Sequence, residues 1–138
     1  MYTRRRGTAI VESPDGILVV RERDDRFSLP GGGANEHESR EEAAIRELRE
    51  ETGLETLESE FLFEHLGEAR RSHHGGFYRD DHKVFLLRTE GEAHPRKEVT
   101  QIAYFDGSDL GLEPTAKDIL RRYLASKRTA SRNARASG

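Results

Sequence analysis

The sequence predicts an α+β domain, and three observations carry that prediction. Strand-like and helix-like segments alternate along the chain. The turns between them contain glycine and suit antiparallel or mixed strand pairing. A chain of 138 residues, 33% apolar and 36% charged, can build one small core. The elements follow in order. Residues 8–24, TAIVESPDGILVVRERD, read as an apolar run, a Pro-Asp-Gly turn and a second apolar run, hence a hairpin. FSLPGGG, residues 27–33, ends a strand in a loop. Residues 38–52 predict a helix, with Gly53 where a helix C-terminal glycine belongs. Residues 57–66 predict a strand, 67–81 a loop or long turn, 82–92 a strand and 101–107 the last strand. PTAKDILRRYLASK, residues 114–127, predicts a closing helix with Pro114 in its first turn. Residues 1–126 are thus expected to form a single domain, and the small, polar, basic residues 127–138 a disordered tail.

Composition excludes several classes. The chain has no cysteine, so it has neither a disulfide framework nor a thiolate metal site. No purely apolar run exceeds four residues, as at 17–20. A membrane span needs about 20 and a secretory signal core about 7–15. A soluble, cytoplasmic protein without a membrane partner is therefore expected, as monomer or homodimer. Net charge is −3 but unevenly spread. Residues 36–60 hold ten glutamates against three arginines, whereas Lys127, Arg128, Arg132 and Arg135 lie in a tail without acids. Four such charges without aromatic residues predict no specific nucleic-acid partner.

The acidic segment raises the functional question. At roughly 100° per residue, Glu50 and Glu51 flank Glu47 on a helical wheel. Ala44, Ile45, Leu48 and Thr52 gather on a separate arc, a predicted core face. Arg46 stands one turn from both Glu42 and Glu50 and can pair with either. Three clustered carboxylates need a compensating cation, and hard oxygen donors suit Mg²⁺ or Mn²⁺. A metal would also let an acidic site accept a phosphate polyanion. Gly31, Gly32 and Gly33 stand just before this helix, where backbone can approach a ligand closely.

These residues resemble the Nudix hydrolase signature: Gly32, Glu38, Arg46-Glu47-Leu48, Glu50-Glu51 and Gly53-Leu54 match its nine fixed positions over residues 32–54. The resemblance extends over roughly residues 6–126. It implies a Nudix fold, a mixed β-sheet sandwiched between helices. It also implies Mg²⁺- or Mn²⁺-dependent hydrolysis of a nucleoside diphosphate linked to another moiety, as in MutT-like pyrophosphohydrolases. Carried over by position, Glu47, Glu50 and Glu51 would be metal ligands, joined by the Gly31 carbonyl. Arg46 would orient a carboxylate, while Gly32, Glu38 and Gly53 would be structural. KEVTQIAYF, residues 97–105, resembles a segment that often carries a further acid, making Glu98 a candidate metal ligand or base. Glu51 and Glu98, with Glu47 behind them, are the candidates for activating water. Asn35 and His37 depart from residues common in the loop, and Tyr104 from a common tryptophan.

Neither a proline nor a tyrosine marker of other family branches lies near Ala69 and Arg70. The small size and compact box resemble the nucleoside triphosphate branch. Hydrolysis of ADP-ribose, nucleotide sugars or dinucleoside polyphosphates is the alternative, and a non-catalytic nucleotide-binding regulator the alternative of another class. Isomerisation of an isoprenoid diphosphate would want a cysteine, which this chain lacks. ARRSHHGGFYRDD, residues 69–81, is the candidate specificity segment. Arg70, Arg71 and His73 could meet phosphates there, and Phe77 or Tyr78 could stack on a base. His73 and His74 lack the acidic partner of a metal motif. Arg4, Arg5 and Arg6 read as a solvated terminus.

Overall fold

A computed structural model describes residues 1–137. Strands β1 (Tyr2–Ile10), β2 (Glu12–Ser13), β3 (Gly16–Arg21) and β4 (Gly31–Gly33) precede helix α1 (Arg40–Thr52). Strands β5 (Glu55–Leu66), β6 (Arg70–Arg71), β7 (Phe77–Glu90) and β8 (Gln101–Phe105) follow, and α2 (Pro114–Ser137) closes the chain. A mixed sheet has the order β4-β1-β7-β5, with β6 also on β7. In it β1 is antiparallel to β4 and parallel to β7. A second, antiparallel sheet has the order β2-β3-β8.

Alternation along β1 decides which helix covers which face. Gly7 and Ala9 leave room for α1: a Cβ on Gly7 would lie 1.9 Å from the Arg40 carbonyl oxygen and 2.7 Å from the Ala44 nitrogen. Ala9, Ala44, Leu48, Leu54, Phe85 and Leu87 form one core there. Ile10, on the opposite face, joins Val19, Val84 and Leu112 against Ile119 and Leu120 of α2. The sheet thus lies between the two helices, as expected for the fold class.

Helix α1 stops at Thr52 as expected but starts at Arg40 and not at residue 38, because Ser39 caps it. The Ser39 hydroxyl accepts the Glu42 N–H, the Glu42 carboxylate accepts the Ser39 N–H, and both bonds are 3.0 Å. At the other end Gly53 adopts φ 82° and donates to the Arg49 carbonyl.

Five further expectations differ from the structure. The 31–33 triplet is a strand and not a loop, because its backbone pairs with residues 6–8. The hairpin at 8–24 is shortened: β4 and β7 take up Thr8, Ala9 and Ile10, so only Glu12 and Ser13 pair with β3. The predicted loop at 67–81 is itself a hairpin, with Arg70 opposite Tyr78 and Arg71 opposite Phe77. Arg4, Arg5 and Arg6 lie within β1, paired to residues 80–82. Residues 127–137, expected to be a disordered tail, continue α2. No glycine or proline interrupts residues 115–137, and Lys127 is 2.6 Å from Glu12, whose Oε1 also accepts the Tyr123 hydroxyl at 2.6 Å.

Candidate active site

The site is built where β4 meets the C-terminal half of α1. Arg46 is its hub. Its Nε and Nη2 donate to both oxygens of Glu38, at 2.8 and 3.0 Å, and Nη2 also donates to the Gly33 carbonyl at 3.1 Å. Its Nη1 donates to Glu47 at 3.0 Å and Glu50 at 3.2 Å. Glu38 in turn accepts the Asn35 N–H at 2.9 Å, and the Arg46 pair holds its carboxyl down at about 2. This loop is thereby fastened to the helix by charge-assisted bonds. Gly32 leaves room for Glu47: a Cβ there would lie 2.5 Å from Glu47 Cδ and displace that carboxylate.

Glu51 departs from the helical-wheel expectation. It lies on the buried arc of α1 and is only 7% exposed, while Glu47 and Glu50 are partly exposed. Strand β4 covers it, and the Gly31 N–H donates to its Oε1 at 3.1 Å. Burial is the main cause that pushes its carboxyl up to about 8; the charge of Glu47 and then Glu22 add to this, while the Gly31 bond and Arg6 oppose it.

Glu98 does not join this group. It is exposed on a turn, and its neighbour Lys97, at φ 55°, instead places its ammonium 3.2 Å from Glu50. That turn is tied to the end of α1 by the Arg96 N–H, which donates to the Glu51 carbonyl at 3.0 Å.

Beside the box runs a cavity of about 380 Å³, between the α2-facing side of the mixed sheet and the chain after β3. Arg4, Arg6, Thr8, Asp80 and His82 form its sheet wall. Glu22 and Arg6 belong both to the cavity lining and to the charges acting on Glu51, which links cavity and box. Arg4 holds Asp80 at 2.6 Å and Arg70 holds Glu113 at 2.8 Å. Arg6 Nε is buried without a hydrogen-bond partner. Thr8 Oγ1 and His82 Nδ1 share a 2.7 Å hydrogen bond, and burial, then Arg6, push the imidazole down to about 4.

The predicted specificity residues separate. Arg70 lines the cavity, and Tyr78 lies against Arg4, whose guanidinium carbon is 4.4 Å from the ring centroid. Arg71 and His73 are exposed, as is Phe77, which Arg71 overlies at 5.8 Å. None of these three lines the cavity. The contribution of Arg6, Glu22 and His82 was missed. Strand alternation at residues 4, 6 and 8 was the available signal for the first, and nothing in the sequence pairs it with His82.

Three carboxylates in one helical turn, with a neighbouring backbone carbonyl, are the hard oxygen set that Mg²⁺ or Mn²⁺ takes. The buried Glu51 strengthens that fit, because its ionised form needs a nearby cation. Among the described residues no three His, Asp or Glu side chains converge as they stand. Arg46 and Lys97 supply the positive charge around Glu47 and Glu50 in this arrangement.

Comparison with known proteins defines the class. The NUDIX domain family model matches residues 1–126, and the chain belongs to the Nudix hydrolase family. A Chromobacterium violaceum crystal structure assigned to that family is 39% identical, with a TM-score of 0.75 over 89% of this chain and 77% of that one. The MutT Nudix hydrolase from Burkholderia pseudomallei, 20% identical, shares the fold at a TM-score of 0.69 over 86% and 96% of the two chains. A Bacillus subtilis (strain 168) protein assigned as an 8-oxo-dGTP diphosphatase is 43% identical over 54 residues, 38% of this chain. An RNA pyrophosphohydrolase from Novosphingobium aromaticivorans is 37% identical over 99 residues, 62% of this chain. The matches span 36% and 62% of the lengths of these two relatives. No helix among the described residues is long and apolar enough to cross a membrane.

Proposed function

We propose that this chain hydrolyses the pyrophosphate link of a nucleoside diphosphate joined to another moiety, with a nucleoside triphosphate as the substrate. The observation that carries the proposal is Glu51. A carboxylate 7% exposed, next to Glu47 and Glu50 and beside an arginine-bearing cavity, is costly unless a cation serves it. The relatives' names, one for 8-oxo-dGTP and one for RNA, support chemistry on a nucleotide pyrophosphate.

Mg²⁺ or Mn²⁺ would be held by Glu47, Glu50, Glu51 and the Gly31 carbonyl. Such an ion offsets phosphoryl charge and acidifies water. The chain's own residues do the rest. Arg6, on the cavity wall, meets phosphate oxygens with its guanidinium. Arg46 holds Glu47 and Glu50 in one orientation while Glu38 takes up its other edge. Glu51, ionised once a cation serves it, takes the proton of the attacking water. Glu98, exposed and apart from the cavity, is less suited to that task.

The test is a phosphate-release screen with Mg²⁺ and Mn²⁺ across nucleoside triphosphates, ADP-ribose, nucleotide sugars and dinucleoside polyphosphates. Glu51→Gln is expected to cut turnover at least 100-fold with the fold retained. Binding of every nucleotide without turnover by the parent protein would favour the regulator instead.

A further inference from the structure

Among the described residues His82 is the one aromatic ring that lines the cavity, whose sheet wall leads to two larger ones. Residues 2, 4, 6 and 8 share one face of β1, and residues 78, 80 and 82 share the same face of β7. Parallel register sets Tyr2 beside Tyr78, Arg4 beside Asp80 and Arg6 beside His82. The wall therefore changes chemistry in steps. Arg6 lies at the end next to the box, the Arg4–Asp80 pair in the middle, and the Tyr2–Tyr78 pair beyond the outer end. Four residues of strand separate Arg6 from Tyr2, about 13 Å. That is comparable to the reach of a nucleoside triphosphate from its base to its phosphate chain.

The two rings have the properties of a platform. Their centroids are 5.9 Å apart with planes inclined by 31°. Arg4 holds Tyr78 from one side, and Asp80 fixes Arg4. Tyr2 is 57% exposed, so it offers surface that the fold leaves uncovered. An exposed ring, Tyr2, beside a second ring braced by a stacked arginine, Tyr78, suits a flat π-system better than a phosphate.

We infer that Tyr2 and Tyr78 are the base-stacking residues of the substrate site. Resting on the nucleoside triphosphate reading above, this places the sugar along Arg4–Asp80 and the phosphates at Arg6. Every base has a π-face, and Arg4, the charged group stacked on Tyr78, is itself engaged by Asp80, so selection at this end is by stacking area. Purine nucleotides bind more tightly than pyrimidine ones, and no single base is read by its edge.

Steady-state kinetics with ATP, GTP, CTP and UTP test this in the parent, Tyr2→Ala, Tyr78→Ala and their Phe counterparts. The alanine variants should raise KM for ATP and GTP between about fivefold and 100-fold, with kcat changed far less. They should also narrow the gap between purine and pyrimidine nucleotides, a result that general loosening of β1 would not produce. The Phe variants should retain parent KM values. Circular dichroism melting identifies any variant that is merely misfolded, and the double Tyr→Phe and single Tyr→Leu variants then replace it. If the parent turns over all four nucleotides and folded alanine or leucine variants keep its KM values, the platform is wrong. A parent preference above 100-fold for one base would also overturn it. No turnover and no binding of any nucleotide by the parent would sink the functional reading, and this inference with it.

Discussion

Glu51 offers a measurement that needs no substrate. In the metal-free protein its carboxyl is raised from 4.5 to about 8, chiefly by burial under β4. The unfolded chain releases that proton near pH 4.5, while the folded chain keeps it until about pH 8. Between those limits unfolding releases one proton, so stability falls as pH rises. The full shift corresponds to on the order of 4–5 kcal/mol, at about 1.4 kcal/mol per pH unit where the difference is complete. His82 has the opposite sign: its pKa is lowered to about 4, so it makes stability rise with pH between about 4 and 6.5. Above pH 7 His82 is neutral in both states, and the slope belongs to Glu51. Urea unfolding followed by circular dichroism in EDTA should therefore lose about 1 kcal/mol between pH 7 and pH 8. Glu51→Gln keeps an acceptor for the Gly31 N–H but no titrating proton. It should flatten that slope and be the more stable protein at pH 8. Parallel curves for parent and variant would refute the claim that burial keeps this carboxyl protonated.

Other residues give independent checks. Gly7→Ala drives a methyl group into the backbone of α1 and should cost about 3 kcal/mol in urea unfolding. Gly32→Ala meets only the movable end of Glu47, so its loss of stability should be small, while Mn²⁺ affinity by calorimetry falls about tenfold. Arg46→Lys keeps the charge but loses the two-point grip on Glu38 and the bond to Gly33. It should cost about 1–2 kcal/mol and expose residues 34–38 to protease. Removing residues 129–138 should change stability by less than about 0.5 kcal/mol, because residues 129–134 are exposed and the Lys127 contact with Glu12 is kept.

What could be read beforehand follows from the range of the interactions involved. The C-terminal cap of α1 was legible because Gly53 acts within one turn of the helix it bounds, whereas the Ser39–Glu42 capping box moves the start to Arg40 from the expected residue 38. Of the two partners that spacing offered Arg46, Glu50 is bonded while Glu42 caps the helix with Ser39, and its strongest partner, Glu38, reaches it from eight residues away through a loop. Glu51 was misjudged because a helical wheel shows only directions. It does not show that Gly31, twenty residues earlier, lies over that carboxylate as part of a strand. The glycine triplet suggested a loop because glycine disfavours strands. At this edge its small size is what permits the strand: Gly31 packs against the Gly7 carbonyl and Gly32 against the Glu47 side chain.

The arginines of β1 show the same limit in a form that bears on function. Consecutive arginines at 4, 5 and 6 look like a solvated terminus until a partner strand from residues 78–86 separates them by face. Arg4 and Arg6 then line the cavity. Alternation at residues 2, 4, 6 and 8 was available in the sequence, but its meaning depended on a pairing more than seventy residues away. The same pairing brings Arg6 among Glu51, Asp80 and His82, whose charges it influences. The box glutamates and the cavity are thus joined by one side chain whose Nε has no partner within the fold. A buried Nε–H left in that condition is costly for folding alone, so Arg6 is held on the cavity wall for its charge, where an anionic ligand would meet it.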